Sequence, residues 1–142
     1  MMNQLRQLPV PKTLEPLYWL IGTWQTDNPG NGKFPTIETF SYHEEIEFFS
    51  IGQPMLNYVA QSWHPESKKP MHREVGFLKI KPNTNELSFY VSHNFGLTTI
   101  EEGEVTNEEI KLISTNIARN EKMSKPPAVI QVFKSIYFWN DE

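Results

Sequence analysis

Four histidines, His43, His64, His72 and His93, are the side chains of this sequence that could titrate or coordinate near neutral pH. They are not equivalent. His64 precedes Pro65 in a hydrophilic stretch and reads as solvated. His43 stands beside Glu44 and Glu45 in a long strand-like run, where an exposed or surface-paired role outweighs a functional one. His72 lies in Pro70-Met71-His72-Arg73-Glu74 at a strand start, where a bulge would turn Met71 and His72 together toward an interior. His93 closes an alternating row with Leu87, Phe89 and Val91 just before a turn. It either lines a cavity near a rim or is a core histidine satisfied by a backbone carbonyl.

Two histidines do not make a metal centre. Zinc wants at least three converging nitrogen, sulfur or oxygen ligands, and no His-x-His or His-x-x-x-His pair begins one. No metal ligand set is therefore expected. Glu101, Glu102 and Glu104 around Gly103 read as a solvated hairpin, and Glu44, Glu45 and Glu47 as a solvated face. With no cysteine there is no thiol nucleophile, disulfide or cysteine-ligated metal, and a reducing compartment follows. A Gly-x-Ser-x-Gly elbow is absent, and Gly30-Asn31-Gly32 reads as a plain turn rather than a phosphate loop. The 13 Lys and Arg against 17 Asp and Glu leave a net charge of -4, which attracts neither nucleic acid nor an anionic membrane.

The elements that must position these residues are mostly strands. Residues 1–13 lack periodicity and read as a flexible arm ahead of a single domain over 14–142. Leu17 and Leu20, three apart behind Pro16, predict a short helix before Gly22 that plugs one barrel end. Beyond it the apolar period falls to about two. Turn chemistry recurs at 28–32, 52–54, 64–67, 82–85, 94–96 and 106–109. Roughly eight strands are predicted, near 21–27, 35–49, 55–63, 71–80, 86–93, 97–105, 110–117 and 129–138. An all-β, antiparallel up-and-down barrel is the economical closure. Most of Trp19, Trp24, Phe34, Phe40, Phe77 and Phe89 are expected in its core, and a large flat ligand would use the same side chains.

Five segments in order resemble one family: Leu20-Ile21-Gly22-Thr23-Trp24, Phe34-Pro35-Thr36, Gly52-Gln53-Pro54-Met55-Leu56, Pro70-Met71-His72-Arg73-Glu74 and Ile117-Ala118-Arg119. The sequence resembles the nitrobindins, and within them the haem-binding domain at the C-terminus of an animal THAP zinc-finger protein, over roughly residues 14–138. The resemblance implies a lipocalin-like barrel holding haem b, which binds nitric oxide and isomerises peroxynitrite to nitrate in the cytoplasm or nucleus. Carried over by position, Thr36, Met71, His72 and His93 are cofactor-binding. The family's axial histidine lies in a last strand, and this sequence ends at Trp139-Asn140-Asp141-Glu142 without a matching position. The expectation is thus a barrel lacking two closing strands, with haem ligation and isomerase activity impaired. The alternative is a carrier of a fatty acid or another apolar ligand, without iron.

Overall fold

The structure, a computed structural model, describes residues 1–26, 30–34, 37–126, 128–129 and 131–137. A short helix α1 (Met2–Leu5) and a 3₁₀ helix (Lys12–Leu20) precede nine strands. These are β1 (Gly22–Gln25), β2 (Gly30–Phe34), β3 (Ile37–Phe49), β4 (Met55–Trp63), β5 (Pro70–Ile80), β6 (Glu86–His93), β7 (Leu97–Thr106), β8 (Glu109–Arg119) and β9 (Phe133–Tyr137). Leu14, Leu17 and Leu20 are spaced by three, so the three residues per turn of a 3₁₀ helix stack all of them on one buried face. That face seals one end of the sheet's hollow.

The strands form one antiparallel sheet in the order β1-β3-β4-β5-β6-β7-β8-β9, with β2 also on β3. It curls into a half-barrel. Among the described residues β1 and β9 stay at opposite ends of this path, unjoined by strand pairing. Strict alternation puts Leu56, Tyr58 and Ala60 of β4 and Leu87, Phe89 and Val91 of β6 inside. With Phe48, Leu78, Ile110 and Leu112 they make one core against the 3₁₀ helix. Phe89 meets Tyr58 edge-on at 4.8 Å and Phe48 tilted at 6.3 Å.

Two devices bend the sheet. Gly76 of β5 and Gly103 of β7 sit where a Cβ would strike the carbonyls of Tyr90 and Lys111 on the neighbouring strands, so only glycine permits that approach. Bulges fall where one residue faces two. Ser62 of β4 stands against Met71 and His72 of β5, and Thr115 is the extra residue of β8 opposite the Ile100/Glu101 step.

The strands predicted over 55–63 and 86–93 match in both bounds. The predicted turn over 28–32 does not hold throughout: Gly30–Phe34 pairs with β3 from Gly30↔Tyr42 to Phe34↔Ile37, adding a ninth strand. Gly-Asn-Gly has poor intrinsic strand propensity, and the ladder supplied by the long β3 overrides it. Arg6, in the stretch read as an arm, places Nη1 2.9 Å from Glu47 Oε2 and its guanidinium 3.7 Å over the Phe49 ring. Among the described residues no helix is long and apolar enough to cross a membrane.

Candidate functional site

The inner row of β5 runs His72, Glu74, Gly76, Leu78, and that of β6 runs Val91 and His93, with Glu74 directly opposite His93. Alternation thus carries polar groups into the hollow at the end away from the 3₁₀ helix. Ser62 fixes the start of β5 by accepting from the His72 amide (3.0 Å) and donating to its carbonyl (3.3 Å). This is the bulge that brings His72 inward.

His72 Nε2 lies 3.1 Å from His93 Nδ1. Glu74 Oε1 is 3.2 Å from His93 Nδ1 and 3.7 Å from His72 Nε2. The other carboxylate oxygen accepts from the Tyr58 hydroxyl at 2.8 Å. Phe95, in the β6–β7 turn, packs edge-on to His72 at 4.7 Å and caps His93 at 5.4 Å. A second branch leaves His93 from Nε2, 3.4 Å from Thr99 Oγ1, which donates to Glu101 Oε2 at 2.9 Å. Lys134 of β9 joins the branches, with Nζ 3.4 Å from Glu101 Oε1 and 3.9 Å from Glu74 Oε1.

This network sets the charges. Burial pushes the Glu74 carboxyl up, but His72, Lys134, Tyr58 and His93 outweigh that and hold it at about 2. Burial pushes the His93 imidazole down to about 4 against the pull of Glu74. Burial and then Glu74 push the Tyr58 hydroxyl up, so it remains a donor. Burial and then Glu74 push Glu44 up as well.

Against this polar group lies a cavity of about 470 Å³. Its walls are mainly apolar and aromatic, with Trp19, Trp24, Ile46, Phe48 and Ile136 prominent, while Glu44, Glu74, Tyr58 and Lys134 supply polar atoms. Such a space accepts a small or flat ligand. The walls fit the apolar body of a haem macrocycle, but none of the four histidines lines this space. His93 has both ring nitrogens engaged inside the cluster. His43 places Nδ1 3.1 Å from Thr26 Oγ1 and stacks on Trp63, in phase with Glu45 and Glu47 on the opposite face. His64 accepts the Glu66 and Ser67 amides in its turn. The present residues therefore fit the macrocycle without offering its iron a histidine nitrogen from the cavity wall.

Of the four positions carried over from the family, His72 and His93 are brought together. Met71 shares the bulge, half-buried, and its carbonyl accepts from Asn94 at 3.2 Å. Thr36 lies outside the described residues. Two carboxylates read as solvated are not: Glu101 is 0% exposed, and Glu44 faces the cavity. Runs of acids ordinarily mark water, but in a strand alternate members face opposite sides. The row Leu97, Thr99, Glu101 already carried the signal for Glu101, as His72-x-Glu74 did for Glu74. Nothing local announced Lys134 or Tyr58 as polar partners.

A curled antiparallel sheet over an apolar hollow with a polar end defines a small-ligand-binding β domain. A family model described as the THAP4-like, heme-binding beta-barrel domain matches residues 13–141, and the chain belongs to this family. The human peroxynitrite isomerase THAP4 is 46% identical over 119 residues, covering 84% of this chain and 20% of that protein. The chain therefore spans about a fifth of the length of that relative. The Arabidopsis thaliana protein named peroxynitrite isomerase Rv2717c is 35% identical over 133 residues, covering 87% of this chain and 78% of its own. The crystal structure of Rv2717c from M. tuberculosis superposes with a TM-score of 0.76 at 30% identity, covering 89% of this chain and 80% of that one.

Proposed function

We propose that this domain holds haem b against the apolar walls of the hollow, binds nitric oxide there and converts peroxynitrite to nitrate. The observation that carries the reading is the family match together with a cavity of about 470 Å³ walled by Trp19, Trp24, Ile46, Phe48 and Ile136. Relatives named peroxynitrite isomerase at 35% and 46% identity support it. Haem, when bound, supplies the iron on which peroxynitrite rearranges.

The chain's own part is to exclude water and place charge. Trp19, Trp24 and Phe48 offer flat apolar contact to a macrocycle. Lys134 is the cation at the polar end, and it offsets part of the charge that Glu74 and Glu101 place there. Thr36 and Met71 stand in this reading as further cofactor contacts, carried over from the family. The domain works in the cytoplasm or nucleus, without nucleic acid or membrane as partner.

Reconstitution with hemin tests this. A Soret band saturating at one equivalent, with faster peroxynitrite decay and nitrate as product, is expected. Hemin that stays in its free form, or a bound hemin that leaves decay unchanged, overturns it.

One observation favours a second reading, an apolar-ligand carrier: no histidine lines the cavity, whose walls are mainly apolar and aromatic. Native mass spectrometry of protein from its own cells decides, since a retained acyl ligand supports the carrier and a retained haem refutes it.

A further inference from the structure

His72, Glu74 and His93 present one ligand atom each within 4.8 Å of one another. The separations are 3.1, 3.2 and 3.7 Å. The circle through those three atoms has a radius of about 1.9 Å, against metal–ligand bonds of about 2.0–2.1 Å for nitrogen and carboxylate oxygen on zinc. An ion just off their plane reaches all three with the ligands almost where they stand. We propose that His72, Glu74 and His93 form a two-histidine, one-carboxylate site for a divalent first-row transition ion, with its remaining positions open to water at the rim.

Three features of the surroundings fit a built site. The ligand set of two imidazoles and one carboxylate suits zinc, iron(II), cobalt or nickel and leaves coordination positions vacant. Two ligands are oriented from behind. Glu74 Oε2 is held by Tyr58, and His93 Nε2 faces Thr99, which is itself anchored on buried Glu101. Such outer partners fix the tautomer and ring angle of a ligating histidine. The third feature is access: the His72 side chain is 38% exposed, against 8% for His93, so an ion enters past His72.

Without metal, one proton bridges the two imidazoles across their 3.1 Å contact. The ion takes that proton's place. Lys134 Nζ, 3.9 Å from Glu74 Oε1, is the resident counter-charge the ion must compete with, and Glu44 adds a carboxylate on the same side.

Titration of the haem-free full chain with zinc, followed by calorimetry, tests the site. Cobalt(II) gives a visible d–d band as a second readout. One equivalent is expected to bind, with His72→Ala and Glu74→Gln each weakening affinity by ~10-fold or more, since outer-shell changes alone cost ~10–100-fold. His64→Ala leaves it unchanged. His72 sits at the exposed rim, so its variant folds even if Glu74→Gln does not. Absence of binding, binding that survives His72→Ala, or binding lost with His64→Ala overturns the site. Hemin uptake is read separately in the Soret region, so failure of one proposal is not failure of the other.

Discussion

Lys134 Nζ stands 3.4 Å from Glu101 Oε1, reaching from β9 to β7 over the inner face of β8. Among the described residues neither atom makes a directional hydrogen bond, although both are buried. The contact is therefore an ion pair held by charge in a place without water. Breaking one side of a buried pair costs about 3–5 kcal/mol, more than the pair itself contributes.

From that asymmetry, Lys134→Met is expected to destabilise the domain by about 3 kcal/mol, because Glu101 and Glu74 both lose their shared cation. Glu101→Gln costs less, since Lys134 keeps Glu74. The double variant recovers part of the loss. Urea midpoints of the four proteins check this, and strictly additive losses sink it.

Stability should also fall on acidification in two stages. His93 is held at about 4, below its ordinary 6.5, so the folded state resists its protonation and stability drops as pH falls from 6.5 toward 4. Glu74 is held at about 2, below 4.5, so its contribution is present above pH 4.5 and drains away between 4.5 and 2. Glu44, pushed up from 4.5, contributes the opposite slope just above pH 4.5 and so offsets the lower part of the first stage. His93→Gln removes the first stage, and denaturation at stepped pH shows whether the slope between 6.5 and 4 disappears.

Filling the hollow separates ligand binding from folding. Ile46 lines the cavity on β3, and Ile46→Trp puts an indole where a macrocycle would lie. Overpacking costs roughly 1–3 kcal/mol, a loss the fold is expected to survive. Hemin uptake should fall at least tenfold by Soret titration. Undiminished uptake by the folded variant would move the haem site elsewhere.

Gly76→Ala tests how the sheet curls. The added methyl meets the Tyr90 carbonyl on β6, so the two strands must part. A loss of roughly 1–3 kcal/mol in thermal or urea unfolding is expected. Gly103→Ala, against the Lys111 carbonyl, should behave alike. Wild-type stability in both would mean that these glycines do not set the curvature.

Several of these features were legible along the chain. Leu87, Phe89, Val91 and His93 alternate cleanly, and β6 carries that row inward with His93 at its end. The bulge expected at Met71-His72 is present, opposite Ser62. The hairpin that adds β2 was hidden by its glycines, because its pairing depends on β3 rather than on its own residues. Glu101 was misread from its acidic neighbours, although its strand phase with Leu97 and Thr99 pointed inward.

Alternation and turn chemistry act over a few residues, so the sequence alone determined the strands, most of their faces and the resemblance to one family. Which inward polar groups meet depends on curvature and register summed over many strands. Glu74 finds His93 across one ladder, Tyr58 across another and Lys134 from the far end of the sheet. Only the tertiary structure decided that a histidine pair, three carboxylates and one lysine gather in a single polar cluster, because no local period encodes distances across a curled sheet.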